Sequence, residues 1–207
     1  TFRGLMSPMQ RDIVRFRVLQ AIEKNPNHSS SHLILAIIHD KKGNMPQAVM
    51  AAHYFLLLEP NSNRSINAHQ ILVNNFKGNV SEDDSDPNKI NITISKNSDN
   101  DFAAIDLMIS MLQVSKTLDE NEGKSEDEMF IQNTESLFMM LGELKKEENK
   151  TIWWQLYTTF FYNLAQSNHL EAYCKYITQS DNENSQKWLK QNPVKLTEFA
   201  DWLRTLD

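Results

Sequence analysis

Two histidines in this sequence have a spacing that could support metal binding. His28 and His32 are four residues apart, and two residues with this spacing on one helix lie on the same face, as in many zinc sites. However, His28 is expected in the loop before the helix, and no third ligand is apparent. We therefore predict a surface His28, a packed His32 and no metal site. His39 is likewise predicted to be a buried structural residue.

The single cysteine, Cys174, follows His169 by five residues. A cysteine nucleophile needs a base within hydrogen-bond reach and a lowered pKa. A spacing of five on a helix does not bring the two side chains together well. We therefore predict that Cys174 is a small buried thiol without a catalytic role.

Two groups of carboxylates could suggest Ca²⁺ binding or acid–base catalysis. They are Asp83, Asp84 and Asp86 in a polar run, and the pair Asp101 and Asp106. The run lacks the glycine and the spaced terminal glutamate of an EF-hand loop. We interpret it as a solvated loop, and the pair as acidic residues near the start of a helix, which the helix dipole favours.

The segment Trp153–Tyr162 contains six aromatic residues. We predict that it is core, and an exposed binding patch is the alternative. The sequence has no phosphate-binding loop, dinucleotide-binding glycine pattern or Gly-x-Ser-x-Gly elbow. We therefore predict no catalytic residue, no metal and no cofactor.

The composition is that of a folded, acidic protein. The 207 residues are 40% hydrophobic and carry a net charge of −6, which argues against nucleic-acid binding through phosphate contacts. No apolar run approaches the roughly 18 residues that a membrane-spanning helix needs. The chain starts at Thr1 without a signal-peptide pattern, so the compartment stays unknown, and our working expectation is an exported or periplasmic bacterial protein.

Apolar periodicity and capping signals predict an all-α fold. Ser7, Pro8 and Gln10 form a helix start, and Ser125 with Glu128 forms another. The predicted helices span about 8–24, 30–41, 46–58, 64–76, 101–118, 126–146, 152–166, 169–179, 184–190 and 193–205. Residues 81–100 are predicted to be an irregular linker. Within it Ile90, Ile92 and Ile94 alternate with polar residues as in a strand, but no pairing strand is apparent, so we expect an extended segment lying on helices, with a real sheet as the alternative.

A repeat is visible in the first 80 residues. Pro26 and Pro60 lie 34 residues apart and each ends a predicted helix. Between them come Leu35-Ala36 in one helix, Gly43-Asn44 at a turn and Ala48 in the next helix. With this pattern, the segment from about residue 8 to residue 80 resembles the tetratricopeptide repeat family, whose period is 34 residues.

The resemblance implies an α-α superhelix followed by a further helical domain. Residues 1–80 would hold the second helix of one repeat, a full repeat at 29–62 and the first helix of the next. Residues 101–207 would form the helical C-terminal domain, for which no family is recognised. The resemblance also implies that the array extends upstream of Thr1.

In tetratricopeptide proteins the first helices line a groove that binds a partner. The matching positions here are Ser30, Leu33, Ile37, Asp40 and Lys41. Leu33 and Ile37 are aliphatic and cannot donate hydrogen bonds to a carboxylate, so no clamp for a partner's C-terminus is expected. Either a partner or this chain's own second half fills such an apolar groove, and we favour internal packing of part of it.

These observations favour a non-catalytic scaffold module that binds a protein or peptide. One alternative is an enzyme whose site lies in residues 100–207, which would require ionisable side chains that converge in a cleft. The other is a purely structural spacer in a longer repeat protein. The oligomeric state is not predicted.

Overall fold

The computed structural model describes residues 7–76, 80–83, 86–92, 100–115 and 123–206. The fold is all-α, as predicted, with one short two-stranded hairpin. The helices are α1 Pro8–Lys24, α2 Ser29–Lys42, α3 Met45–Leu58, α4 Asn63–Phe76, α5 Ala103–Ser115, α6 Glu126–Leu144, α7 Thr159–Ala165, α8 Leu170–Ile177, α9 Glu183–Gln191 and α10 Pro193–Arg204. No helix in these ranges is both long and apolar enough to span a membrane.

The predicted helix boundaries follow from local signals that the structure uses. Ser7 and Ser125 cap α1 and α6 in capping boxes with Gln10 and Glu128. Gly43 ends α2 in the left-handed conformation, at a φ of 72°, which glycine adopts without a steric penalty. The first four helices therefore form successive hairpins, and the helices adjacent in sequence pack together.

Helix α3 lies at the centre of the molecule. Every residue from Met45 to Leu57 is buried, because the helix is apolar around its whole circumference. It packs against α2 and α4, and also against α5, α8 and the start of the aromatic segment. The core is therefore continuous between residues 1–80 and residues 101–207.

Helices α2 and α4 lie side by side and run parallel. Near their starts, Arg64 Nη1 donates a hydrogen bond to Ser30 Oγ over 2.9 Å. Near their ends, Asn75 Nδ2 donates to Asp40 Oδ1, also over 2.9 Å. The bonded residues are 34 and 35 positions apart in the sequence. Matching positions of the two helices are therefore separated by about the same spacing as Pro26 and Pro60.

The linker region contains a β-hairpin that was not predicted. Strand β1, Val80–Asp83, pairs antiparallel with β2, Asp86–Ile92. The expectation of an unpaired extended segment was wrong for Ile90 and Ile92, because β1 is polar and short and gave no alternating signal. Ile94 lies outside the described residues.

The aromatic segment is core, as predicted. Trp154, Tyr157 and Phe161 are buried. The segment begins with a π-helical turn, Trp153–Thr158, and continues as α7, which packs antiparallel to the end of α6. Gly142 of α6 permits this close approach, since a Cβ there would lie 1.9 Å from Tyr162 Cδ2.

We predict that Gly142→Ala lowers the free energy of unfolding by about 1–3 kcal/mol, although alanine favours helix formation. The added methyl group forces the Tyr162 ring out of its position. Urea unfolding of the single and double variants tests this. Tyr162→Ala should lower the free energy of unfolding less in the Gly142→Ala background than in the wild type. Strictly additive changes in the two single variants and the double variant would contradict the predicted clash.

Candidate binding face and cleft

The five predicted groove residues lie on the side of α2 that borders α4. Ser30 and Asp40 are half-buried and joined to α4 by the two hydrogen bonds described above, and Leu33 is half-buried against the core. Ile37 is 42% exposed, and Lys41 is also exposed. The structure thus brings the five residues onto one surface.

Neighbouring exposed residues extend this surface. Ile34 is 40% exposed. Asn67 and Asn74 of α4, which lie 34 positions after Leu33 and Asp40, are also exposed. We call this surface the α2–α4 face, formed by Ser30, Leu33, Ile34, Ile37, Asp40, Lys41, Arg64, Asn67 and Asn74.

The expectation that the chain's own second half packs into the groove is not met at Ile37 and Lys41, which stay exposed. The second half contacts α2 through His32 and His39 instead. His32 Nδ1 lies 2.7 Å from Tyr157 Oη, and the His39 ring packs edge-on against Trp153. These two histidines are seven residues apart and share a different stripe of α2.

The interface between the two halves contains three buried imidazoles. His32 Nε2 donates to the backbone oxygen of Pro26 over 2.7 Å, so Nδ1 accepts the hydrogen bond from Tyr157. His53 Nδ1 is 2.9 Å from Tyr173 Oη. Burial lowers the pKa of His32 to about 4, and the pKa values of His39 and His53 to about 3. The three rings are therefore neutral at neutral pH, and they serve packing, as predicted for His32 and His39.

His28 and His32 lie in different surroundings. His28 is exposed and bonds to Ser31 Oγ over 2.8 Å, whereas His32 is buried and bonds to Tyr157 and Pro26. Within the described ranges, no group of three or more His, Cys, Asp or Glu side chains could hold a metal ion.

The remaining residues considered for chemistry lie in different parts of the fold. Asp83 and Asp86 are backbone pairing partners at the hairpin turn, and Asp84 lies outside the described residues. Asp101 is exposed, whereas Asp106 is buried in α5. Burial raises the pKa of the Cys174 thiol well above its ordinary value, so the thiol stays protonated.

A second concave feature, which the sequence did not indicate, lies between α4 and the C-terminal helices. This α4–α6 cleft has a volume of about 450 Å³. Its apolar lining consists of Val73, Phe76, Met129, Phe130 and Ile131, and its polar lining includes His69, Asp127, Asn133, Lys175, Thr178, Asn182 and Ser185.

The shielded ionisable groups of the cleft are held in pairs. His69 Nδ1 lies 2.8 Å from Asp181 Oδ2, and Lys175 Nζ lies 2.6 Å from Asp127 Oδ2. Burial opposes ionisation of Asp127, but hydrogen bonds from Lys175 and Asn182 outweigh it and lower its pKa. The hydroxyl groups of Thr178 and Ser185 lie 2.8 Å apart and bond to each other. These groups make a polar wall, not an activated nucleophile with a free base.

No local motif could have predicted the cleft. Its helical residues come from four helices that are up to about a hundred positions apart, six of them from α6 and one to three from each of the other helices. The only sequence signal is the Ser125–Glu128 capping box, which fixes the first turn of α6 and thereby Asp127.

Comparisons with known proteins find no relative. No protein-family model matches the chain, and neither a curated protein nor a solved structure matches it. The resemblance to tetratricopeptide repeats therefore depends on the residue pattern of about 8–80 alone.

We predict that acidification from about pH 7 to about pH 5 destabilises the protein by about 2 kcal/mol for each buried imidazole. In the unfolded chain a histidine takes up a proton below its ordinary pKa of 6.5, whereas the folded state keeps His32, His39 and His53 neutral down to about pH 3–4. The stability is present above the ordinary pKa and is lost as the pH falls.

The measurement is urea unfolding of the wild type and of His39→Leu at both pH values. The variant should lose about 2 kcal/mol less than the wild type, because one of the three titrating rings is gone. Equal losses in both proteins would mean that His39 does not carry the pH dependence.

Proposed function

We propose that this protein is a non-catalytic module of the tetratricopeptide type that binds a peptide or a segment of a protein on its α2–α4 face. The observation that carries the proposal is the exposure of Ile34 and Ile37, three residues apart on the same side of α2. A cluster of exposed aliphatic side chains bordered by polar residues is typical of an interaction surface.

The arrangement of the helices supports the proposed repeat architecture. Parallel α2 and α4 are displaced by 34 to 35 residues, which is the displacement expected of the first helices of consecutive repeats. The helix between them, α3, is covered by the C-terminal half, so the α2–α4 face is the side of the hairpins left available to a partner.

The chemistry of the face favours an extended peptide with aliphatic side chains. Ile34 and Ile37 would lose their remaining solvent contact on binding, which is worth about 1 kcal/mol each. Asn67 and Asn74 carry amides, which both donate and accept hydrogen bonds and so match the groups of a peptide backbone. A C-terminal carboxylate clamp is not proposed, because Leu33 and Ile37 offer no hydrogen-bond donors at the matching positions.

The enzyme alternative is supported by the α4–α6 cleft, which does gather ionisable side chains. We rank it second because its shielded acidic and basic groups are paired and the Cys174 thiol is protonated. The net charge of −6 argues against nucleic acid as a partner for either function, because binding to phosphate groups depends on positive charge.

A library of random displayed peptides, selected against the full chain, tests the proposal. We expect the enriched peptides to be rich in aliphatic residues. Their affinity should fall about tenfold or more for Ile34→Asp/Ile37→Asp, because two aliphatic contacts are lost and two charges are introduced.

The matched control is Val194→Asp, which places the same charge on an exposed aliphatic position of α10. It should bind the selected peptides like the wild type. Peptides that bind the double variant as tightly as the wild type would show that the α2–α4 face is not the site. If no peptide is enriched, the spacer hypothesis is favoured.

A further inference from the structure

Asn133 presents an unpaired acceptor at the α4–α6 cleft. Asn133 is only 3% exposed, and its Oδ1 atom has no hydrogen-bond partner among the described residues. Leaving a buried amide oxygen unpaired costs about 1–3 kcal/mol, so native proteins seldom do so without a reason. Because Asn133 lines the cleft, a ligand that enters the cleft can supply the missing donor.

Lys175 presents spare donors at the same cleft. Its ammonium group has three N–H bonds, and within the described part of the chain it makes one hydrogen bond, to Asp127. The residue is buried, so the remaining N–H bonds have little access to bulk water. A ligand that matches the cleft should therefore accept one hydrogen bond and donate another.

The cleft also has an apolar wall. Phe130, Phe76 and Met129 lie on the cleft together with two aliphatic residues, and its volume of about 450 Å³ suits a small organic ligand or one large side chain with its backbone. The charges of Lys175 and Asp127 neutralise each other at 2.6 Å, so the polar wall favours an uncharged group.

We propose that the α4–α6 cleft is a binding site for a hydrophobic residue of a peptide together with its backbone amide. The amide N–H donates to Asn133 Oδ1, the amide oxygen accepts from Lys175 Nζ, and the side chain lies on the apolar lining. The site is separate from the α2–α4 face. His69, Val73 and Phe76 lie on one stripe of α4, and Asn67 and Asn74 lie on another.

The probe is N-acetyl-L-leucine methylamide, which carries two backbone amides and one aliphatic side chain. Amide chemical shifts of the ¹⁵N-labelled full chain are followed during titration. We expect shifts of the amides around the cleft, with a dissociation constant of roughly 1 mM for a ligand of this size. The same probe with both amide nitrogens methylated has no N–H donor, and it should bind at least about tenfold more weakly.

Asn133→Leu keeps the number and branching of the side-chain heavy atoms but removes the acceptor. It should abolish the preference for the probe with N–H groups, and its melting temperature should equal or exceed that of the wild type, because an unpaired buried oxygen is gone. Asn133→Ala is the second variant, should the leucine fail to fold. Lys175→Met/Asp127→Leu removes the ion pair as a unit and should also weaken binding.

Ile37→Asp is the matched control and should bind the probe like the wild type, so failure of the cleft site and failure of the α2–α4 face are distinguishable. The proposal is overturned by the absence of shifts at the cleft, by equal affinity of the cleft for both probes, or by unchanged binding at the cleft of the Asn133 variants. A large loss of stability in both Asn133 variants would also overturn it, since the amide would then be a structural group.

Discussion

The burial of α3 on all sides is the constraint on which the rest of the structure depends. A helix whose residues from Met45 to Leu57 are all apolar or shielded cannot lie on a surface, so a single pair of neighbouring helices does not suffice to cover it. Helices α2 and α4 cover part of it, and the C-terminal half covers the remainder. The second half is therefore part of the same core, and α3 could not be stably exposed without it.

This arrangement determines which surfaces remain available. The aromatic segment and α8 reach α3 and the buried histidines, and they do not cover Ile34 or Ile37. The α2–α4 face is thus left open by the same packing that closes the opposite side of α3. The α4–α6 cleft arises where α4 borders the C-terminal helices without complete side-chain contact.

The helices were predictable from the sequence because their signals are local. The capping residues Ser7 and Ser125, the turn at Gly43 and the prolines at 26 and 60 fix the ends of their helices within a few positions. The strand β1 was missed because a short polar strand has no alternating pattern until its partner is known. The π-helical turn at Trp153–Thr158 was missed because it follows from tertiary packing and not from propensity. Of the residues in the two proposed sites, Ile37 and Lys41 were predicted from the 34-residue spacing. Asn133 and Lys175 are distant in the sequence and come together only in the folded chain.

Helix α4 forms a wall of both the α2–α4 face and the α4–α6 cleft. Its residues Asn67 and Asn74 lie on one side and Val73 and Phe76 on the other. A rigid helix cannot shift toward one occupant without shifting away from the other. Two ligands on opposite sides of α4 would therefore be thermodynamically linked, and each would alter the affinity for the other by the same factor.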